Sequence, residues 1–512
     1  MGGLTNAALL ALMGKKVCVL EQHYTAGGYT HAYWRKGFEW DVGVHYIGEV
    51  HKEYSTLRRI FDVISQGRLQ WAEMDKVYDK ICIGDEEFDF VAGKDNFIES
   101  LVANFPKERQ AIEHYVELIR LISKQSSTFF AGQALPPMLA KLYNKIRPKL
   151  VHKAFFKTAR EVLEEITSNQ KLISVLCGQW GDYGMVPRDA SFLIHALIAK
   201  HYLAGAAYPV GGASSIARAI IPTIENAGGH VFTMAKVEQV LIHNNKAYGV
   251  QLAGGHKLYA DKIISNIGFM NTVNHIMPPS VKTQYGMDNW TNKVTRSSAS
   301  ICLYAGFNQD AQSLNLKKTN LWLYPNEHIE ANVDAYRTGE TSELPLTYIS
   351  FPSVKDPDWD NRYPGKATVE IVSLASMDDY QDWFGTTWND RGDSYLQLKE
   401  KLSQILLKSL FKREPQLEQA LEFYELSTPL STQFYQRNDG GEIYGVNHSV
   451  DRFKQSFLHP QTPIKNFYMT GSDVLTAGVG GALMGGVMTT MRMQGVFGMN
   501  KVKKLLKAGV SQ

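Results

Sequence analysis

Residues 1–50 constrain the fold most, because they carry most of a nucleotide-binding βαβ unit. An Ala-rich helix follows Gly2 and Gly3, and a Val-rich strand over residues 16–20 ends at Glu21. In such units the last glycine of G-x-G-x-x-G lets the helix pack against the sheet, and an acidic residue about 20 positions later binds a ribose hydroxyl. Gly3 and Glu21 fit these two positions. The pattern predicts an α/β fold, although a plain βα unit without a nucleotide would also satisfy it.

The other end of the chain carries a second glycine-rich element. Residues 467–473 have the pattern of a short buried strand that ends at a Gly and an Asp, and the glycines of 478–486 open a helix. The amides at a helix N-terminus attract anions and dipoles. Near the first strand, Gly27 and Gly28 offer bare backbone along which a long cofactor can lie. A simple turn and a close-packed helix face are the alternatives, but two such elements favour a cofactor.

Further segments make a family resemblance specific. They are residues 19–23, 43–48, 208–214, 265–268, 355–357, 363–366 and 470–473. On these segments the chain resembles the FAD-dependent amine-oxidase and phytoene-desaturase superfamily, and within it the retinol saturases and their carotenoid-isomerase relatives. The segments follow the family's order along nearly the whole chain.

The resemblance implies FAD as the cofactor and a discontinuous two-domain organisation. Residues 1–75, 208–277 and 445–512 would form a Rossmann-like FAD-binding domain of the glutathione-reductase type. Residues 76–207 and 278–444 would form an α+β substrate domain. A length of 512 residues agrees with two domains, because single cores stop growing beyond about 250–300 residues. Strands at 231–233, 237–242 and 247–252 are expected to form a small antiparallel meander.

The motifs and the resemblance together predict the cofactor contacts. The backbone near Val237 would pass the adenine, and Asp473 would bond a ribityl hydroxyl. The predicted contacts are Gly2, Gly3, Glu21, Gln22, Gly27, Gly28, Val237, Gly471, Asp473, Gly480, Gly481 and Ala482. No second nucleotide fingerprint is visible, so direct use of a nicotinamide is not predicted and the electron donor is open.

The first strand of the unit, with its leading glycines, is not among these residues. We expect it upstream of Met1, which would then occupy the variable position between the second and third glycines of the fingerprint. The sequence therefore predicts a Rossmann-like domain that lacks its first strand. Added upstream residues, roughly 10 to 20 for one strand and its turn, are expected to improve both solubility and FAD content.

The family's chemistry implies an oxidoreductase that reduces a C=C bond of an isoprenoid polyene, as retinol saturases do. A carotenoid isomerase or phytoene desaturase is the alternative reaction. A lipid-binding protein like the GDP-dissociation inhibitors is the alternative without an enzyme activity, although the retained glycines argue against it. His45, Tyr46 and Tyr183 are the catalytic candidates, since they match family segments near the flavin or the substrate. Each could instead be a core histidine or a packing aromatic residue.

A basic amphipathic stretch covers residues 134–160. It contains no acidic residue, and its cations are Lys141, Lys145, Arg147, Lys149, Lys153, Lys157 and Arg160. Basic and apolar residues at helical spacing are typical of segments that lie on an anionic membrane, and an ordinary solvated helix face is the alternative. No apolar run reaches the length of a membrane span. We therefore expect a cytoplasmic or peripheral membrane protein.

Composition argues against several other functions. The net charge of +3 gives no reason to expect a nucleic-acid partner. Four widely separated cysteines predict buried thiols rather than a disulfide framework. His195 and His201 are not at metal-ligand spacing for one helix face, so no metal site is expected.

Overall fold

The computed structural model describes residues 1–508 of the chain. Its α-helices are α1 (Gly2–Leu12), α2 (Thr56–Ser65), α3 (Lys94–Asn104), α4 (Arg109–Phe129), α5 (Pro137–Ile146), α6 (Ala159–Ile166), α7 (Gln170–Leu176), α8 (Phe192–Tyr202), α9 (Ser214–Glu225), α10 (Phe269–Asn271), α11 (Pro279–Tyr285), α12 (Met287–Thr291), α13 (Ile329–Arg337), α14 (Pro352–Lys355), α15 (Trp359–Arg362), α16 (Asp393–Arg413), α17 (Pro429–Gln436), α18 (Gly478–Met493) and α19 (Gly498–Ala508).

The strands are interspersed with these helices, so the fold is mixed α/β. They are β1 (Cys18–Leu20), β2 (Ala32–Arg35), β3 (Phe38–Asp41), β4 (Ile47–Gly48), β5 (Trp71–Glu73), β6 (Val77–Ile83), β7 (Glu86–Val91), β8 (Ala206–Pro209), β9 (His230–Phe232), β10 (Val237–His243), β11 (Lys246–Leu252), β12 (Lys257–Tyr259), β13 (Ile263–Ser265), β14 (Ala299–Phe307), β15 (Asn320–Tyr324), β16 (Thr347–Ser350), β17 (Ala367–Ala375), β18 (Leu421–Ser427) and β19 (Phe467–Met469).

Two short parallel pairs of strands bring distant parts of the chain together. β1 pairs with β9, with Val19 opposite Val231, and β13 pairs with β19, with Ile264 opposite Tyr468. Helix α1 packs against both α9 and α18, and Ala8 at the centre of its buried face has no exposed surface. The first, middle and last segments of the chain therefore share one region of the molecule.

Helices α1 and α18 cross at very short range because glycines form their contact. A Cβ on Gly486 would lie 2.6 Å from the carbonyl oxygen of Gly2, and a Cβ on Gly2 would lie 2.5 Å from the Cα of Gly471. Beside this contact the Asn6 amide donates a hydrogen bond of 2.8 Å to the Thr490 hydroxyl. The glycines in this part of α18 therefore allow close helix packing, which is one of the two interpretations given for them above.

The antiparallel meander consists of β10, β11 and β12. The prediction that residues 231–233 belong to it was wrong, because Val231 and Phe232 pair in parallel with β1. The Gly229 turn explains the difference, since it sets the His230 amide 2.9 Å from the Val17 carbonyl. Alternating apolar residues predict a strand but do not identify its partner.

A seven-stranded mixed sheet, in the order β18-β14-β17-β16-β15-β6-β7, forms the other large element. Val369 and Ile371 of β17 belong to the apolar core on one face of the sheet, together with Leu406 of α16. Successive side chains of a strand point to opposite faces, so Glu370 is directed to the other face, towards the first and middle segments. This orientation places a carboxyl group on the face of the sheet that lies against β3.

Candidate active site

A cavity of about 2490 Å³ joins the parallel strand pairs to the seven-stranded sheet. The predicted cofactor contacts that line it are Gly2, Gly3, Glu21, Gln22, Gly27, Gly28, Val237, Asp473, Gly480, Gly481 and Ala482. The remaining one, Gly471, lies behind this surface, and a Cβ on Gly485 would lie 2.3 Å from its carbonyl oxygen. The structure thus brings residues from both ends of the chain to one cavity.

Glu21 ends β1 on the cavity wall, and backbone contacts hold it there. Its Oε1 accepts a hydrogen bond of 2.9 Å from the His23 amide, and its carbonyl accepts one of 2.8 Å from the Ala235 amide. Within residues 1–508, Oε2 has no donor. This carboxylate oxygen is therefore available to a ligand hydroxyl.

The loop after Glu21 depends on its two glycines. Gly27 has φ +126° and Gly28 has φ +61°, a backbone region that residues with a Cβ rarely adopt. The Thr30 hydroxyl caps the turn with a hydrogen bond of 2.9 Å to the Gly27 carbonyl. The pair therefore forms a turn and also presents bare backbone to the cavity.

The N-terminus of α18 points into the same cavity. The amides of its first turn have no acceptor inside the helix, and Gly480, Gly481 and Ala482 line the cavity. A Cβ on Gly481 would lie 2.1 Å from the Thr476 carbonyl oxygen, so any larger residue would displace the helix start. The free amides and the helix dipole favour a ligand edge that carries negative charge.

Asp473 ties three chain segments together beside α18. Its Oδ2 accepts a hydrogen bond of 2.6 Å from the Phe269 amide, and its Oδ1 accepts one of 3.0 Å from the Val446 amide. The Arg452 guanidinium lies 4.0 Å from Oδ1. Asp473 therefore has a structural role that the sequence did not reveal, and its predicted contact with a ribityl hydroxyl stays a prediction.

His45 and Tyr46 line the opposite wall, and each contacts a buried carboxyl group. The Nδ1 of His45 lies 2.7 Å from Oε2 of Glu370, whose Oε1 accepts a hydrogen bond of 2.6 Å from the Asp41 amide. The Tyr46 hydroxyl donates a hydrogen bond of 2.8 Å to Asp79. Both side chains are therefore fixed by acids that lie behind the cavity surface.

A buried lysine connects these two contacts. The ammonium of Lys355 donates hydrogen bonds to the His45 carbonyl at 3.1 Å and to the Ser350 hydroxyl at 2.7 Å, and it also contacts the Asn320 side chain. The Asn320 amide in turn donates to Asp79 at 2.9 Å. Burial lowers the pKa of Lys355 to about 7.

Burial shifts the pKa values of His45 and Glu370, which contact each other, in opposite directions. It raises the pKa of Glu370 to about 8. It lowers the pKa of His45 to about 4, and the neighbouring Lys355 adds to this effect. Loss of solvent disfavours whichever form carries charge. At neutral pH the pair therefore holds one proton on Glu370 and leaves His45 neutral.

Tyr183 is not brought to the cavity. It is buried in the core, with its hydroxyl 3.3 Å from Nδ1 of His195, whose Nε2 lies 3.0 Å from the Tyr115 hydroxyl. Its neighbours Asp182 and Gly184 do line the cavity. Tyr183 lies in a 3₁₀ turn over residues 180–183, and it supports the wall from behind.

Sequence reasoning missed most of the polar groups behind His45 and Tyr46. Glu370 and Asp79 stand in strands among apolar residues, and nothing local distinguishes them from solvent-facing carboxylates. Lys355 and Asn320 were equally unassigned. The sequence did give a signal at residues 355–357, since they match a segment of the family, but the match assigned them no role. Long sequence separation hid the rest, since His45 and Glu370 are 325 positions apart.

These features fit an FAD molecule. The Glu21 carboxylate, the bare turn at Gly27 and the glycine-rich start of α18 offer partners for a ribose, a diphosphate and a flavin edge, respectively. All of them line one continuous cavity. The tight contact at Gly481 is a cradle that a Cβ would fill.

Comparisons with known proteins also indicate a flavin-dependent oxidoreductase. The family model described as flavin containing amine oxidoreductase matches residues 1–493. All-trans-retinol 13,14-reductase of Danio rerio is 35% identical over 506 residues, which cover 95% of this chain and 83% of the relative. The chloroplastic prolycopene isomerase of Daucus carota is 22% identical, over 100% of this chain and 81% of that protein.

Solved structures share the fold. Cyclohexylamine oxidase from Brevibacterium oxydans has a TM-score of 0.59 at 16% identity, covering 99% of this chain and 97% of the oxidase. At that identity the likeness concerns the fold alone. Together with the family match, it shows that this chain belongs to the flavin-containing amine oxidoreductases and that FAD is its cofactor.

Proposed function

We propose that this protein reduces a C=C bond of an isoprenoid polyene, with a retinol-like alcohol as the substrate. The observation that carries the proposal is the 35% identity to a retinol 13,14-reductase along 95% of the chain. The cavity supports it, because one continuous space serves both the cofactor contacts and a large apolar region. A flavin-dependent enzyme that acts on a polyene needs both.

The apolar region has the composition that a polyene requires. Its residues come from α8, α18, the seven-stranded sheet and the segments that follow α4 and precede β16, and they belong to or pack against one buried apolar cluster. Those that line the cavity include Phe130, Ile194, Leu197, Ile198, Trp322, Leu346, Tyr348, Met484 and Met488. Aromatic and thioether side chains adapt well to a rigid, flat chain of conjugated bonds.

Saturation of a C=C bond adds one hydride and one proton. Reduced FAD supplies the hydride when it is bound. We propose that His45 delivers the proton, because it lines the cavity with 18% of its side chain exposed. Tyr46 would orient the substrate chain, since its ring is fixed by stacking on Tyr202 at 4.3 Å.

The division into domains stays a proposal along the predicted boundaries. The parallel pairs and the meander fall within residues 1–75, 208–277 and 445–512, the proposed FAD-binding domain. All strands of the seven-stranded sheet fall within residues 76–207 and 278–444, the proposed substrate domain. This agreement supports the assignment.

We further propose that the two parallel pairs belong to one Rossmann-like sheet, with one more strand between β1 and β13. Val19 and Ile264 of these two strands line the same cavity, and within residues 1–508 each strand is paired on one side only. A doubly wound sheet carries its fingerprint strand at such a position. An extension of roughly 10 to 20 residues ahead of Met1, containing a Val-rich strand and G-x-G, should raise soluble yield and FAD content. A Gly/Ser extension of equal length that does the same would contradict this proposal.

We also propose that α5 docks on an anionic membrane. Its exposed apolar side chains are Met138 (87% exposed), Leu139 (53%), Leu142 (60%) and Ile146 (48%). Exposed lysines alternate with these residues along the segment: Lys141, Lys145 and Lys149. We call these three residues the α5 lysines. Apolar residues next to cations are typical of helices that lie in a membrane interface. No helix within residues 1–508 is long and apolar enough to cross a bilayer.

Four cations of the predicted membrane segment have other partners, among them Lys157, which pairs with Glu165, and Arg160, which pairs with Glu330. The Arg147 guanidinium lies 4.0 Å from the Phe129 ring centroid and donates a hydrogen bond of 2.9 Å to the Phe453 carbonyl. Lys153 lies 3.4 Å from Glu165. We therefore assign the contact with lipid headgroups to the α5 lysines alone.

Flavin absorbance in a single turnover tests the proposed activity. The purified protein is reduced anaerobically, mixed with all-trans-retinol, and followed for the return of oxidised flavin. We expect reoxidation with retinol and none with a fully saturated alcohol of the same length. Reoxidation that is equal with both, or absent with retinol and with a panel of carotenoids, would contradict the proposal.

A further inference from the structure

Behind His45 lies a cluster of buried ionisable groups with more acids than bases. Glu370, Asp79 and Lys355 have no exposed surface, and Asp41 is 2% exposed. Among the described residues, Lys355 is the cation that faces all three carboxyl groups. A buried carboxylate without a cation is strongly disfavoured, so one ammonium cannot keep all three acids ionised. At least one of the carboxyl groups must hold a proton.

Hydrogen bonding distinguishes the protonated acid. Asp79 accepts hydrogen bonds from Tyr46, Gln179 and Asn320, which stabilise its ionised form. Asp41 likewise accepts hydrogen bonds from the Tyr208 hydroxyl and the Ala213 amide. Glu370 accepts one from the Asp41 amide, and its other oxygen faces Nδ1 of His45. An oxygen that faces an imidazole nitrogen can carry the proton and donate it.

His45 connects this proton to the cavity. Its Nδ1 is occupied by Glu370, which leaves Nε2 as the ring nitrogen on the cavity side. The backbone is held as well, since Lys355 donates to the His45 carbonyl at 3.1 Å. The ring thus lies between a buried acid and the apolar region in which the polyene would lie.

We propose that Glu370 is the proton reservoir of the reduction and that its proton reaches the polyene through His45. The inference rests on the proposed function and deepens it. One carbon of the double bond would receive the hydride that bound, reduced FAD would supply, and the electron pair of the π bond would move to the other carbon. That carbon takes the proton from Nε2 of His45, while the proton of Glu370 moves to Nδ1. His45 ends neutral in its other tautomer, and Glu370 ends ionised.

The pH dependence follows from the groups that surround Glu370. They are His45, Asp41, Lys355, Tyr33, Cys302, Tyr304 and Tyr208. Burial raises the pKa of the three phenols and of the Cys302 thiol, so these four groups stay neutral near pH 8. Glu370 is protonated below about pH 8, and the supply of protons should fail above that pH.

Infrared spectroscopy of the flavin-free protein tests the reservoir without any turnover. Protein labelled with ¹³C-glutamate should show the C=O band of a protonated Glu at pH 7, and the band should be lost with a midpoint near pH 8. The band should be absent in E370Q and present in E442Q, a control at another buried glutamate that does not line the cavity. An unchanged band in E370Q, or its absence from the wild-type protein at pH 6, would overturn the proposal.

Single turnover of the reduced holoenzyme tests the transfer. Gln at position 370 can still accept from the Asp41 amide and donate to His45, so the geometry is kept and only the transferable proton is lost. We expect E370Q to slow retinol-dependent flavin reoxidation by about 100-fold or more and to abolish its decline above pH 8, with FAD content unchanged. E442Q should behave as the wild type.

Failure of the proposed polyene reduction and failure of the Glu370 reservoir would give different results. If wild-type protein does not reoxidise with any polyene, the proposed function fails, whereas the infrared result still reports on Glu370. If wild-type protein reoxidises and E370Q keeps both the rate and the pH profile, the reservoir is wrong and the proposed function stands. Transfer of a proton from Tyr46 instead would appear as loss of rate in Y46F alone.

Discussion

Replacement of Glu21 by Ala should weaken FAD binding without unfolding the protein. Oε1 of Glu21 is occupied by the His23 amide at 2.9 Å, so the ligand would use Oε2. A hydrogen bond to a charged group contributes about 1.5–3 kcal/mol, and the loss of one such bond raises a dissociation constant about 10- to 150-fold. The side chain is only partly buried, so water can replace its contact with the amide and stability should change little.

FAD titration of the flavin-free protein, followed by flavin fluorescence, measures this change. Glu21→Gln keeps the shape but removes the charge, and it should give an intermediate dissociation constant. Glu225→Ala, at the exposed end of α9, is the matched control and should bind as the wild type does. An unchanged dissociation constant in Glu21→Ala would return Glu21 to the status of a carboxylate at a strand end.

Three further outcomes follow from the structure. Gly481→Ala should lose FAD, since its Cβ would lie 2.1 Å from a backbone oxygen, whereas Gly480→Ala, 3.1 Å from a flexible leucine side chain, should retain FAD; equal flavin content in both would contradict this. In urea unfolding of the flavin-free protein, the free energy of unfolding of the wild type should fall by about 1.4 kcal/mol per pH unit relative to that of E370Q as the pH rises from 4.5 to 8. The reason is that Glu370 keeps its proton in the folded state over this range and releases it in the unfolded state. A difference between the two proteins that does not change with pH would contradict the raised pKa. Changing the α5 lysines to Glu should reduce cosedimentation with anionic vesicles, each cation contributing about 1 kcal/mol, while Lys153→Glu should not; equal binding by all variants would remove α5 from membrane contact.

The strand, turn and helix start that carry the predicted cofactor contacts were predictable as structural elements because their signals are local. The Val-rich strand that ends at Glu21, the Gly27 turn and the glycine-rich start of α18 each combine a periodic pattern with a residue type that the backbone requires. Such features depend on neighbours in the sequence. The pairing of Val231 with β1 depends on the tertiary fold, and there the prediction was wrong.

The polar wall of the cavity was not predictable, because the burial of its side chains depends on the tertiary fold. In β17, Glu370 has an alternating pattern that fits a carboxylate facing solvent. The contact of β17 with β3, which brings the Asp41 amide to Glu370, is what shows that this face is buried. Arg147 shows the converse, because a cation in a basic segment turned out to be packed on Phe129.

The mass of the product from a single turnover distinguishes the reactions that the cavity could support. Reduced protein is incubated anaerobically with all-trans-retinol, and the extracted product is examined by mass spectrometry and absorption. A saturase gives a retinoid that has gained two hydrogens and absorbs at shorter wavelength, because one conjugated double bond is lost; this is the result we predict. A product of unchanged mass would identify an isomerase, one that has lost two hydrogens would identify a desaturase, and either would contradict the proposed function.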